Sequence, residues 1–398
     1  MDHDADDLNE IVIPLMNIAR RLPSGMVNEK EPNFQQICMT SAGSKMSFAY
    51  EKLLDMFQLS IINPDDAFVF GCDYRVPVQH GLLSKSFINN LKLSPSFNEQ
   101  SFAREYCSLW SGASEDSWFN LDKMDKHRKI KNPETRQKNR PNSEQFYIIS
   151  VDVGRLHDQS PVCVFRVNIH DDKFVSTLVN LFVLGRTPET KPFPIQVRDL
   201  KEIIERFNPR EVVIDTNGIG VNFGDEMMRT HIAKDGHELP AYGFINDENY
   251  LKIQPKDCIQ ILYGIKANGP LNSKIHSNAY SRINSGLVNF LITEQAAKTA
   301  LLATKVGQKM STVERIERLM PHEMTTKLFE EMANLRLKVS GAGLDIVLER
   351  INSRHPKDKY SAFSYGLWRI KELEDDYFKK KKRRIDGRQL VFFTGGRQ

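Results

Sequence analysis

The alternation of apolar and polar runs along the chain predicts a layered α/β protein. Phe146-Tyr147-Ile148-Ile149-Ser150-Val151 is an apolar, β-branched run of strand length, and it delivers Asp152 and then Gly154. Pro161 to Ile169 alternates through Val162, Val164 and Val167, Asp171-Asp172 forms a turn, and Phe174 to Leu184 returns as a third strand. An amphipathic helix follows with Val197, Leu200, Ile204 and Phe207 on one face. Glu211-Val212-Val213-Ile214-Asp215 is a short buried strand that again ends in an aspartate. Thr216-Asn217-Gly218-Ile219-Gly220 then leads into a helix running to about Ala233. If this fourth strand lies parallel beside the first, Asp152 and Asp215 emerge at the same end of the sheet.

The flanking regions carry weaker patterns. A helix is expected from Leu8 to Arg21, then a turn at Pro23-Ser24-Gly25 and a strand over residues 35–39. That strand runs into Thr40-Ser41-Ala42-Gly43-Ser44-Lys45 and a helix to about Leu59. Small residues there expose backbone amides at a helix N-terminus, which suits a phosphate or switch loop as well as a plain strand–helix turn. The phosphate-loop pattern GxxxxGK[ST] occurs nowhere. A strand at residues 67–70, an aromatic helix from Phe102 to Trp110, and helices at 274–287 and 311–337 complete the expectation.

Composition narrows the class. At 398 residues, with 40% hydrophobic and 27% charged, the chain has the make-up of a globular protein of two or three domains. A net charge of +4 announces no nucleic-acid partner, so basic clusters must be read locally. Residues 123–145 hold Lys126, Arg128, Lys129, Lys131, Arg136, Lys138 and Arg140 among Asn, Pro and Gln, reading as a linker, a DNA-phosphate contact, or both. Lys252, Lys256, Lys266 and Lys274 could line a DNA groove or simply face solvent. Lys379-Lys380-Lys381-Lys382-Arg383-Arg384 is a compact basic run, a solubilising tail or a contact. Five scattered cysteines without a CxxC pair read as reduced thiols. No apolar run reaches membrane-span length, and the acidic N-terminus is no signal peptide, so a soluble protein is expected.

A third carboxylate stands near the C-terminus. His355-Pro356-Lys357-Asp358-Lys359-Tyr360-Ser361 precedes an apolar helix face of Phe363, Leu367 and Ile370. Pro356 breaks the chain before the helix and Asp358 sits at its start, either capping it or facing a metal. Asp158 fits an outer position of a site or, better, a turn at the hairpin start.

Asp152-Val-Gly, Val-Val-Ile-Asp215 with Asn-Gly-Ile-Gly, and Asp358-Lys-Tyr-Ser before Tyr365-Gly-Leu-Trp together resemble the nuclease domain of tailed-phage terminase large subunits. Gln36-Ile-Cys-Met-Thr-Ser-Ala-Gly43 resembles the coupling motif of that family's packaging ATPase, although both Walker elements are missing. The resemblance implies an RNase H-like mixed sheet flanked by helices, preceded by part of a P-loop-type ATPase. The implied divisions are a partial ATPase-like segment at 1–122, a basic linker at 123–145, the nuclease at 146–378 and a basic tail at 379–398. It implies a metal-dependent endonuclease cutting concatemeric double-stranded DNA with two Mg²⁺ or Mn²⁺ ions. Asp152, Asp215 and Asp358 would be the metal ligands, with His355 orienting water or moving a proton. Implied partners are the portal, the small terminase subunit and the missing ATPase portion, in the host cytoplasm, with no membrane. ATPase activity is not expected of this chain alone. Another RNase H-like enzyme, such as a resolvase or transposase, or a non-catalytic DNA-binding or motor-assembly subunit, are the alternatives.

Overall fold

The computed structural model describes residues 21–28, 37–43, 45, 48–65, 67–94, 97, 99–110, 117–138, 144–154, 159–170, 173–185, 187–338, 346–353 and 355–390. Most of the first expected helix, the Asp171-Asp172 turn and Asp158 lie outside these residues. Two compact units divide the chain, Met1–Glu115 and Asp116–Gln398.

The first unit holds helices α1 (Phe48–Ile62), α2 (Arg75–Gln79), α3 (Lys85–Leu93) and α4 (Glu99–Glu105). Its buried apolar residues among those described are few: Ala42, Ala67, Ile88 and Phe102. Of the strands expected over 35–39 and 67–70, the described residues 37–39 and 67–70 pair into no ladder. The expected helix from Phe102 ends at Glu105, before Ser108, which adopts a left-handed φ of 55°. Residues 40–43 belong to no helix or strand.

The second unit is built on one sheet. In chain order it contains α5 (Leu121–Asp125), β1 (Arg128–Ile130), β2 (Gln145–Val151), β3 (Ser160–Ile169), β4 (Phe174–Leu184), α6 (Phe193–Phe207), β5 (Glu211–Asp215) and α7 (Gly220–Met227). There follow β6 (His231–Ile232), β7 (Glu238–Leu239), β8 (Tyr242–Phe244), α8 (Glu248–Ile253), β9 (Ile259–Ile265), α9 (Gly269–Asn284) and β10 (Val288–Leu291). The last elements are α10 (Glu294–Leu302), α11 (Lys305–Lys309), α12 (Thr312–Ala333), β11 (Leu335–Leu337), β12 (Leu348–Arg350) and α13 (Asp358–Leu390).

Eight strands pair in the order β1-β10-β4-β3-β2-β5-β9-β8. Only β3 runs against the rest, since β2–β3 and β3–β4 are antiparallel and every other pairing is parallel. An antiparallel β2-β3-β4 meander, a crossover through α6 to β5 beside β2, and β9 beyond it make the RNase H-like arrangement. Helices cover both faces. On one, Val197, Leu200, Ile204 and Phe207 of α6 pack with Ile149, Val151, Val162 and Val164, as the helical spacing predicts. On the other, Phe363, Leu367 and Ile370 of α13 pack with Ile148, Cys163, Phe165 and Val167. Val167 therefore faces away from Val162 and Val164. With both faces buried, the alternation of a central strand no longer marks one apolar side.

The helix expected to run to about Ala233 ends at Met227, ahead of β6, and two further expectations change here. The basic stretch after residue 123 is partly structural: β1 extends the sheet, Glu134 is buried, and Arg128 lies 4.0 Å over the Phe329 ring and 3.2 Å from Asp125. The helix expected over 311–337 stops at Ala333, and Leu335–Leu337 instead pairs with Leu348–Arg350.

Helix α13 is clamped to the sheet. Arg369 Nε donates to Glu211 Oε2 at 2.6 Å, Arg282 joins Glu374 at 2.6 Å, and Glu374 also accepts the Phe174 N–H at 2.7 Å. Ser150 Oγ donates to the Ala362 carbonyl at 2.7 Å. Gly366 makes this approach possible, because a Cβ there would lie 2.6 Å from Ser150 Oγ and collide with the Phe165 ring. These contacts fix where the helix begins, and so where Asp358 stands.

Candidate active site

Three carboxylates are delivered by three separate elements. Asp152 leaves the end of β2 and Asp215 closes β5, and these parallel strands are in register with Val151 opposite Ile214. The two aspartates therefore occupy matching positions one strand apart, a spacing of about 4.8 Å between backbones. Asp358 opens α13, and its Oδ2 accepts the Gln159 N–H at 3.3 Å. Asp215 Oδ1 accepts the Asn217 N–H at 2.9 Å in an Asx turn, and Tyr365 Oη approaches its Oδ2 at 3.5 Å.

Electrostatics tie the three together. Burial pushes the Asp152 carboxyl up to about 7, and the negative charges of Asp215 and Asp358 add to the shift. A Ser361 hydrogen bond and the Lys357 charge oppose it. Asp215 is also raised, by burial, against the hydrogen bonds from Asn217 and Tyr365. A buried carboxylate facing two like charges is a site that a cation would relieve.

Three oxygen ligands without a thiol suit hard divalent ions. Among the described residues, no three His, Cys, Asp or Glu side chains are gathered closely enough to hold an ion as they stand. The fit of the aspartates to a metal is thus one of donor chemistry and charge.

His355 is placed differently. Its N–H donates to the Asn352 carbonyl at 3.3 Å, and its carbonyl accepts from Arg350 at 3.2 Å. The sequence places it three residues before Asp358, but these contacts belong to the β12–α13 connection.

The motif after Asp358 contains the residues that frame the aspartates, but the sequence alone assigned Ser361 and Tyr365 no role. Ser361 and Tyr365 follow Asp358 by three and seven positions, one face of a helix, and that spacing was a usable signal. Behind them lies a buried ion pair. Lys359 Nζ is 3.0 Å from Glu331 Oε1 and donates to Gln159 Oε1 at 2.7 Å, while Glu331 Oε2 accepts the Tyr360 N–H at 3.0 Å. Nothing local in the sequence pairs α12 with residue 359. Of the candidate groove lysines, Lys266 is engaged by Asp247 at 2.7 Å.

No family model matches the chain, and no curated protein does. Solved structures that it is similar to include the large terminase nuclease from thermophilic phage G20c, crystallised with magnesium or with cobalt. Each shows 15% identity, a TM-score of 0.38, and coverage of 64% of this chain and 97% of that one. The HK97 bacteriophage large terminase is matched at 11% identity and a TM-score of 0.36, over 79% of this chain and 60% of that one.

Proposed function

We propose that this chain is a metal-dependent endonuclease of a viral DNA-packaging terminase, cutting concatemeric double-stranded DNA. One observation carries the reading: adjacent parallel strands in register deliver Asp152 and Asp215 to one sheet end, where Asp358 acts on the same buried carboxyl. Asp152, Asp215 and Asp358 would hold two Mg²⁺ or Mn²⁺ ions, with Asp152 between the other two. Such ions, when bound, lower the pKa of water and stabilise the leaving 3′ oxygen of a phosphodiester. The chain's own groups do the remaining work. Ser361 and Tyr365 orient the Asp152 and Asp215 carboxyls by hydrogen bonds. The Lys359–Glu331 pair sets the first turn of α13 and with it Asp358. His355 is the proposed water-orienting or proton-transfer group, on its position before Asp358 alone.

The same reading assigns residues 1–122 as a partial ATPase-like segment, 123–145 as a linker, 146–378 as the nuclease and 379–398 as a basic tail. The portal, the small terminase subunit and the rest of the ATPase are the proposed partners, and ATP hydrolysis is not expected from this chain alone. Plasmid DNA incubated with the chain and Mn²⁺ or Mg²⁺ should be nicked or linearised, with EDTA abolishing the reaction. Asp152→Asn should lose cleavage without any loss of melting temperature, because apolar neighbours hold β2. Normal cutting by that variant would sink the assignment.

A further inference from the structure

Beside the aspartates lies a small cavity of opposite electrical character. It measures about 90 Å³, and its polar lining comes from Asn272, His276, Lys357, Tyr360, Ser361, Ser364 and Tyr365, with no Asp or Glu. Asn272 and His276, four residues apart, share one face of α9. Lys357 and Ser361 belong to the head of α13, where the helix dipole is positive.

The donors can be counted. His276 Nδ1 lies 2.9 Å from Tyr360 Oη. Burial and the nearby Lys357 charge hold the ring's pKa down to about 4, so it is neutral at physiological pH. A neutral ring that accepts the tyrosine hydroxyl at Nδ1 carries its proton on Nε2 and donates there. The Ser361 hydroxyl is shared between the Asp152 carboxyl and the Lys357 carbonyl, 3.3 Å away, the Ser364 hydroxyl goes to the Ser361 carbonyl at 3.0 Å, and the Tyr365 hydroxyl goes to Asp215 at 3.5 Å. What remains for a ligand is the Lys357 ammonium, the Asn272 amide and, in the tautomer that accepts the Tyr360 hydroxyl, the His276 Nε2–H. Three donors, one of them cationic, suit an oxyanion. The volume is far below the roughly 300–1,000 Å³ of pockets that enclose drug-sized molecules, so a single small group fits and a whole nucleotide does not.

The geometry points to a phosphate subsite: this cavity takes a DNA backbone phosphate flanking the one presented to the aspartates. The inference rests on the nuclease reading and deepens it. It also gives Lys357 a role in seating the strand, so that the neighbouring phosphodiester meets Asp152 and Asp358.

The test uses the full chain carrying Asp152→Asn, with calcium present, so that binding is read without cleavage. Affinity for a short duplex is measured over a range of salt, with melting curves confirming that each variant is folded. Adding Lys357→Gln should weaken binding about tenfold, the loss of one charge-assisted hydrogen bond. It should also make the log–log salt slope shallower by about 0.9, one phosphate's share. Asn272→Leu removes a neutral donor and should lower affinity severalfold at unchanged slope. If the parent binds duplex and neither variant changes affinity or slope, the subsite is wrong and the nuclease reading stands. A parent that does not bind duplex at all overturns both. Free inorganic phosphate as the true occupant would shift the His276 imidazole resonances at millimolar concentration while duplex binding ignored both variants, which also overturns the proposal.

Discussion

Replacing Lys359 by methionine tests how Asp358 is held. The Lys359 and Glu331 side chains are only 3% and 4% exposed, and their charged atoms lie 3.0 Å apart. At an effective dielectric of about 20, charges at that distance attract by roughly 5–6 kcal/mol, a gain set against several kcal/mol of desolvation for each ion. The net worth of the intact pair is therefore small, but leaving one member alone is costly. Lys359→Met strands a buried Glu331 whose carboxyl burial already raises and which Lys359 pulls back. The expected loss is about 3–5 kcal/mol. For a unit of this size that corresponds to a melting temperature lower by roughly 6–20 °C. Lys359→Met combined with Glu331→Leu leaves no stranded charge and should recover most of that stability. Cleavage should not recover, because the Gln159 and Tyr360 contacts that set the first turn of α13 are gone. Denaturant melts of the two variants, read beside metal-dependent plasmid cleavage, check both halves. A single variant that costs under about 1 kcal/mol, or a double variant that cuts normally, would refute the reasoning.

Other outcomes follow from the same geometry. Asp152 is raised in the folded state, so without metal its stabilising contribution is full below about pH 4 and falls by about 1.4 kcal/mol per unit as pH rises toward 7, then levels off. Asp152→Asn should remove this part of the pH dependence, and chemical melts at pH 5 and pH 8 in EDTA would show whether it does. Gly366→Ala should cost roughly 1–3 kcal/mol through overpacking against Phe165 and Ser150, visible as a lower denaturant midpoint; a neutral effect would mean α13 is not seated as described. Deleting residues 379–398 should leave cleavage intact, since the three aspartates all lie upstream, and should make the salt dependence of DNA binding shallower if the basic run touches DNA and leave it unchanged if the run is a free tail or a docking element.

What was legible in the sequence follows the strength of local physics. β2 and β5 were readable because β-branched runs of strand length end in aspartates, and the crossover helix because its apolar stripe has a clean helical period. The face of Val167 was not, since α6 and α13 cover opposite sides of the sheet and remove the polar alternation that marks a face. Leu335–Leu337 reads as the tail of a helix until Leu348–Arg350 supplies its partner. Arg128 in a polar run looks like a phosphate contact, whereas its guanidinium stacks on Phe329. The aspartates at Asp152 and Asp215 could be aligned from topology alone. The Glu331–Lys359 pair could not, because it joins side chains 28 residues apart from two different helices.

Helix α13 also sets a length. Asp358 is in its first turn, and the basic run that starts at Lys379 lies on the same uninterrupted helix. Twenty-one residues at 1.5 Å each place the two about 32 Å apart along one axis. Duplex DNA rises about 3.4 Å per base pair, so this distance corresponds to roughly nine pairs. On the nuclease reading proposed above, the helix axis alone spans nearly one turn of duplex between Asp358 and the start of the basic run.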